Sequence, residues 1–388
     1  MTKTAFITGV LQGVLIFLLV CMAGCRGVDP GSFEIEPQTE REVVSAAAPA
    51  EEAPDATEAP PAMVQNDLPE KGVVATGPAG PEAQDSTAVP EEAVKLTLKF
   101  VPGHTVTYQV TSEVQKSVQW QGTPGAKPAA FKGGRTAKRL EMTFEQEVES
   151  VDAEGDAVVR ITIKALKYLN RVRDSAVLDF DSTRANDPNN PLANLVGGGY
   201  KLEISARGKV LALIDVEPLR QAVQGTSAAH DTARRLLSRE QILARHQVVA
   251  LSALDGAAVR PGQDWSSVKT FSFGMMGAKS FEKVYTLKEV QRDAGSLAVI
   301  EMKAIPSAAM AEEMHKSQAV NPFSQMFDNT ESYEGRLELE LDTGTIRRYV
   351  EEMRTEWVVA DPEAVSGGAQ PSALRMGATQ LYRLENVE

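Results

Sequence analysis

Cysteine is nearly missing from this chain: of 388 residues only Cys21 and Cys25 are cysteines, and both precede residue 26. No disulfide and no thiolate metal site can form in the rest, which must be held by its core alone. Histidine is almost as scarce. His104, His230, His246 and His315 include no pair at the i, i+4 spacing of a helical zinc site, and Glu312-Glu313-Met314-His315 departs from the metalloprotease pattern. Long apolar runs are wanting too. The best, Val10 to Val20, is about eleven residues with Gln12 and Gly13 inside it, short of the roughly 20 that a spanning helix needs. A clustered basic face is also lacking, which removes the usual reason to propose nucleic acid as a partner.

The short apolar run does fit another role. Lys3 precedes it, and Met22-Ala23-Gly24-Cys25 follows it, the order of a bacterial secretion signal. Small residues before a cysteine suit a lipoprotein signal peptidase, and the cysteine sulfur would carry the diacylglycerol. Residues 1–25 are therefore expected to be a lipoprotein signal peptide ending at a lipidated Cys25. Cys21 competes poorly because Val20 before it is large. The acyl chains would hold the protein on the exported side of a bacterial membrane, giving a cell-envelope location with the membrane as a partner.

The negative charge is concentrated in one place. The formal net charge is −13, and residues 26–93 hold fifteen acids against three bases, with ten of the 21 prolines and Phe33 as the one aromatic. Residues 94–388 hold 38 acids and 36 bases. A segment like 26–93 cannot bury enough apolar surface to offset its ordering entropy, so it reads as a disordered linker. As a flexible chain its 68 residues would span roughly 45 Å, a spacer between membrane and domain.

From Val94 the apolar residues recur at every second position. Leu96, Leu98 and Phe100 alternate, as do Val106, Tyr108, Val110, Val114, Val118 and Trp120, then Leu140, Met142, Phe144 and Val148. Such runs are strands with one buried face. Val158 to Leu169 follows the turn at Gly155, and Tyr200 to Ile204 and Val210 to Ile214 flank Gly208. The second half echoes the first. Pro261-Gly262 before Trp265 mirrors Pro102-Gly103 before Val106, the hairpin Phe281 to Ile305 turns near Gly295, and Leu337 to Val359 turns at Asp342-Thr343-Gly344. The expectation is a mainly β (α+β) domain over 94–388. It is either one large, curved antiparallel sheet or two related lobes, 94–215 and 255–388, joined by a central amphipathic helix or helix pair over 217–251. That helix carries Leu219, Val223, Ala233, Leu236 and Leu237 at helical spacing. A shorter helix, Ser307 to Ala319 with Met310 and Met314, followed by Pro322, Phe323, Met326 and Phe327, reads either as a flap over an apolar cavity or as core filling.

Chemical motifs are few. Asp179, Asp181, Asn186, Asp187, Asn189 and Asn190 could gather oxygen ligands for calcium, but the glycine and terminal glutamate of a helix-loop-helix calcium loop are missing. Gly197-Gly198-Gly199 leads into a strand and so reads as a bend, not a phosphate loop. No serine lies in a nucleophile elbow, and the carboxylates alternate outward as on solvated strand faces. No catalytic residue, cofactor site or metal site is assigned.

A resemblance can now be stated. Phe100, Pro102, Gly103 and Tyr108 carry it, with Asn190-Pro191-Leu192 and Leu195-Val196-Gly197 leading into Tyr200-Lys201-Leu202-Glu203-Ile204 and Gly208-Lys209-Val210. Pro261-Gly262, Asp264-Trp265 and Tyr285-Thr286-Leu287 extend it. Together these residues resemble an uncharacterised family, a domain of unknown function, of secreted or lipid-anchored bacterial proteins. The resemblance implies a β-rich exported domain and carries over no catalytic residue. The insert Gln121 to Arg139 departs from a tight hairpin. Two functions are expected of such a domain: a non-catalytic binding module with an apolar groove, or a scaffolding envelope lipoprotein that holds a protein partner.

Overall fold

Period-two stretches become strands when one face has a core to cover, and in the computed structural model most of them join one surface. Residues 37–41, 92–122, 131–185, 187–273, 278–293, 295–307, 328–360 and 372–387 are described. The strands are β1 (Pro37–Arg41), β2 (Val94–Lys95), β3 (Thr105–Gln121), β4 (Gly134–Val151), β5 (Ala157–Val172), β6 (Ser175–Asp181), β7 (Gly199–Ile204) and β8 (Val210–Ile214). After the helical segment come β9 (Ala258–Val259), β10 (Asp264–Ser272), β11 (Ala278–Gln291), β12 (Leu297–Pro306), β13 (Asp328–Glu340), β14 (Thr345–Ala360) and β15 (Ala373–Asn386).

Among the described residues thirteen strands form one antiparallel sheet in the order β1-β10-β11-β12-β13-β14-β15-β3-β4-β5-β7-β8, with β6 also on β5; β2 and β9 pair separately. The sequence echo is visible in this order. Each half contributes a five-strand meander, β3-β4-β5-β7-β8 and β10 to β14, and the turns before them make matching bonds. Gly103 N donates to Val148 O and Val148 N to His104 O; Gly262 N donates to Leu287 O and Leu287 N to Gln263 O. Both glycines lie at positive φ, 79° and 84°, which glycine adopts without steric cost. The halves are nevertheless not separate lobes. β15 pairs with β14 along Arg348↔Glu385 to Ala360↔Ala373 and with β3 along Ala373↔Gln121 to Asn386↔Tyr108, fusing them into one sheet.

Three further expectations change. The central helix or helix pair over 217–251 is replaced by four short helices, α1 (Glu217–Ala222), α2 (Ala228–Leu236), α3 (Arg239–His246) and α4 (Val249–Ser252). The breaks are local: Gly225 takes φ 156°, and Ser227 and Ser238 cap new helices by accepting from His230 N and Gln241 N. Leu96 to Phe100 is not a long strand, although Leu96 is buried and Leu98 and Phe100 pack on the core. The linker range includes Pro37–Arg41, which pairs with β10. The signal peptide, Cys25, the linker apart from residues 37–41, 92 and 93, and the Met-rich segment 308–327 lie outside the described residues. Among the described residues no helix is long and apolar enough to cross a membrane.

The two faces of the sheet differ. The outer face carries ion pairs such as Arg160–Glu149, Lys164–Glu145, Lys201–Glu149 and Arg336–Glu338. The inner face holds Val110, Met142, Phe144, Ile161, Leu202, Tyr285, Leu337 and Leu339, all buried. Each such aliphatic side chain contributes roughly 1.5–3 kcal/mol through burial. The sheet is bent hard around this face. The ring of Phe273, just past β10, lies 5.1 Å from that of Trp357 on β14, whereas four flat strand spacings would set those strands about 19 Å apart.

Candidate functional site

Strand register lays out the inner face of β4, β3, β15 and β14 in rows. The row Met142–Val110–Leu384–Tyr349 is fully buried beneath the helical segment. Beyond it come Leu140–Ser112–Tyr382–Glu351, then Lys138–Val114–Gln380–Met353, Thr136–Lys116–Ala378–Thr355 and Gly134–Val118–Met376–Trp357. These outer rows face a cavity of about 1440 Å³, whose other walls come from α2, α3, β10 and residues on β11 and β13. Drug-sized ligands occupy about 300–1,000 Å³, so this space suits something larger. From Glu351 to Trp357 the floor runs six residues, about 20 Å of strand.

The helices are fastened over one end by polar contacts. Tyr382 Oη donates to Arg245 O at 2.8 Å and Trp265 Nε1 to Ala250 O at 2.7 Å. Arg245 Nη1 donates to Tyr200 Oη at 3.1 Å, so the single phenolic proton is directed at His246 Nε2, 2.8 Å away. His246 is thereby held neutral. Burial, then the neighbouring Arg245 charge, pushes its pKa well below the ordinary value of 6.5. Among the histidines singled out in the sequence, His246 is a structural bolt, His230 sits at a helix start beside Ser227, and His315 lies outside the described residues.

The calcium candidates are otherwise engaged. Arg184 stands 2.8 Å from both Asp179 and Asp187, and Asp181 accepts from Thr183 N at 2.9 Å. Asn190 caps the short 3-10 turn Pro191–Leu195 through Leu192 N, and Asn186 is not among the described residues. The bend at Gly197 to Gly199 has a steric cause: a Cβ on Gly199 would collide with the carbonyl oxygen of Ile161, where β7 closes on β5. Among the described residues no cluster of three or more metal-ligating side chains occurs.

One group escapes the rule that strand carboxylates face water. Glu351, 6% exposed, points inward on the cavity wall between Tyr349 and Met353. Lys283, fully buried, lies 2.9 Å from it, and Tyr333 Oη donates to its other oxygen at 2.5 Å while Tyr349 Oη donates to the first. Burial alone would raise the Glu351 pKa, but Lys283, Lys269 and the two hydroxyls overcome it and hold it at about 2. Burial would lower Lys283; Glu351 and the surrounding tyrosines raise it well above its usual value. Tyr285, desolvated beside this pair, is pushed up to about 12. The sequence signal was available: Glu351 shares parity with Tyr349 and Met353, and Lys283 with Phe281 and Tyr285. A buried, fully ionised pair with no exposed nucleophile stiffens a wall and gives it a polar patch.

No protein-family model matches the chain, and no curated protein matches it. Among solved structures it is similar to one described as lipid-protein interactions in lipovitellin, at 13% sequence identity and a TM-score of 0.32. That match covers 75% of this chain and 26% of the other, so the chain spans about a quarter of the length of the protein it matches.

Proposed function

We propose that this chain is an exported, membrane-anchored lipoprotein, tethered through Cys25, whose β-rich domain is a non-catalytic module holding an apolar ligand in the groove of its bent sheet. The observation that carries this reading is the cavity of about 1440 Å³ floored by Val114, Val118, Met353, Trp357, Met376 and Ala378. Apolar surface facing so large a space gains free energy when hydrocarbon replaces water, at roughly 25 cal/mol per Å². The length supports the same ligand class, since about 20 Å exceeds one leaflet of a hydrocarbon core about 30 Å thick. The scaffolding alternative, a protein partner held on a sheet face, calls for a filled interior, and the open volume counts against it. The test is organic extraction of the protein purified from its own membranes, followed by mass spectrometry. Lipid beyond that attached to Cys25, near one molecule per chain, is expected; its absence overturns the reading.

A further inference from the structure

We propose that the ligand of this groove is an uncharged lipid whose head group carries free hydroxyls, seated head first against the polar patch around Glu351 with its hydrocarbon running along the strand rows towards Trp357. This rests on the groove reading above and adds the chemistry and the orientation of the head.

The polar groups at this end of the cavity have already spent their protons. Tyr382 Oη donates to Arg245 O at 2.8 Å, Tyr333 Oη donates to Glu351 Oε2 at 2.5 Å, and Tyr349 Oη donates to Glu351 Oε1. The three tyrosines and Glu351 all line the cavity. A phenol has one proton, so each of these oxygens has only lone pairs left to offer. Glu351, ionised beside Lys283, can only accept. Gln380 adds a further acceptor on the same lining, and among the described residues its Oε1 is buried with no hydrogen-bond partner. The lysines on this side, Lys283 and Lys269, both act on Glu351.

Strand register gathers these acceptors. Gln380, Met353 and Tyr333 stand side by side in one row, with Tyr382 and Glu351 in the next, about 7 Å along the strands. Away from the helices the floor then carries Ala378, Val118, Met376 and Trp357. A hydrocarbon without a polar end would cover the acceptors and pair none of them, at a cost. A phosphate or carboxylate would set more lone pairs against the phenol oxygens and a second negative charge beside Glu351. Hydroxyls on an uncharged head, such as the two on a monoacylglycerol, bring O–H donors and no charge. The single acyl chain then follows the apolar rows.

The full chain, purified and stripped of bound lipid by detergent exchange, is incubated with mixed micelles holding equal amounts of monooleoylglycerol, methyl oleate and oleyl phosphate. It is then repurified, and bound lipid is counted by mass spectrometry. Monooleoylglycerol is expected to be enriched about tenfold over methyl oleate, the effect of one or two hydrogen bonds. Gln380→Met removes the amide at nearly constant length and should cut that ratio about threefold. Its thermal unfolding should be unchanged or higher, because the amide oxygen has no protein partner to lose. An undiminished ratio in this variant overturns the placement of the head. Equal retention of monooleoylglycerol and methyl oleate overturns recognition by donors and leaves the groove reading intact, and preference for oleyl phosphate overturns it in favour of an anionic head. No bound lipid overturns both readings.

Discussion

Lys283 Nζ stands 2.9 Å from Glu351 Oε1 on the inner face of the sheet, with both side chains almost wholly removed from water. Neither charge is tolerable there alone. Glu351→Leu strands the ammonium and also leaves the Tyr333 and Tyr349 hydroxyls without their acceptor. A loss of about 3–5 kcal/mol in unfolding free energy is expected by chemical denaturation. Lys283→Met/Glu351→Leu removes the pair together and should be clearly less damaging than Glu351→Leu alone. A double variant as unstable as the single one would mean the pair is not coupled.

Acid should weaken the fold in two stages. His246 has a folded-state pKa well below 6.5, so the unfolded chain binds the extra proton first, and stability declines as pH falls below about 6.5. Glu351, held at about 2 against an ordinary 4.5, adds a second loss as pH falls from about 4.5 towards 2. Replacing His246 by Gln, which keeps an acceptor for Tyr200, should flatten the first stage only. Denaturation midpoints between pH 7 and pH 5 measure this, and an unchanged slope in the variant would count against the neutral-histidine assignment.

Bulk placed in the groove should exclude ligand without harming the core. Val114 is half-buried on the floor, in the row with Gln380 and Met353. Val114→Trp is expected to cut co-purified lipid about tenfold, the equivalent of 1.4 kcal/mol, with an unfolding temperature within a few degrees of the original. Retained lipid with the tryptophan in place would put the ligand elsewhere.

Cys25 is expected to carry the tether. Cys25→Ser should move the protein from the membrane fraction to the soluble one, because on the proposed reading the acyl chains on Cys25 are what hold it to the bilayer. Fractionation at high salt separates a lipid anchor from electrostatic adsorption, and a serine variant that still sediments with membranes would require a different anchor.

Much of the fold was legible because strand alternation is a local property. Val106 to Trp120, Leu140 to Val148 and the hairpins about Gly155, Gly208, Gly295 and Gly344 all stand where parity and turn residues put them. The expected helix or helix pair breaks into more pieces because apolar spacing alone does not report that Ser227 and Ser238 start new helices. Glu351 falls under the expectation that strand carboxylates face water, although parity with Tyr349 and Met353 places it inside.

By itself the sequence determined many of the strands from β3 to β14, several of the turns, and which face of those strands is apolar, since these follow from periodicity and from glycine's tolerance of positive φ; it did not mark β1, β6 or β15. Only the tertiary structure decided that β15, at the far end of the chain, pairs with β3 and makes one sheet of two halves. It also decided that this sheet bends until Phe273 meets Trp357. Strand partners are chosen by complementarity across hundreds of residues, and a cavity exists only between surfaces that such pairing brings together, so no local pattern could have announced the groove.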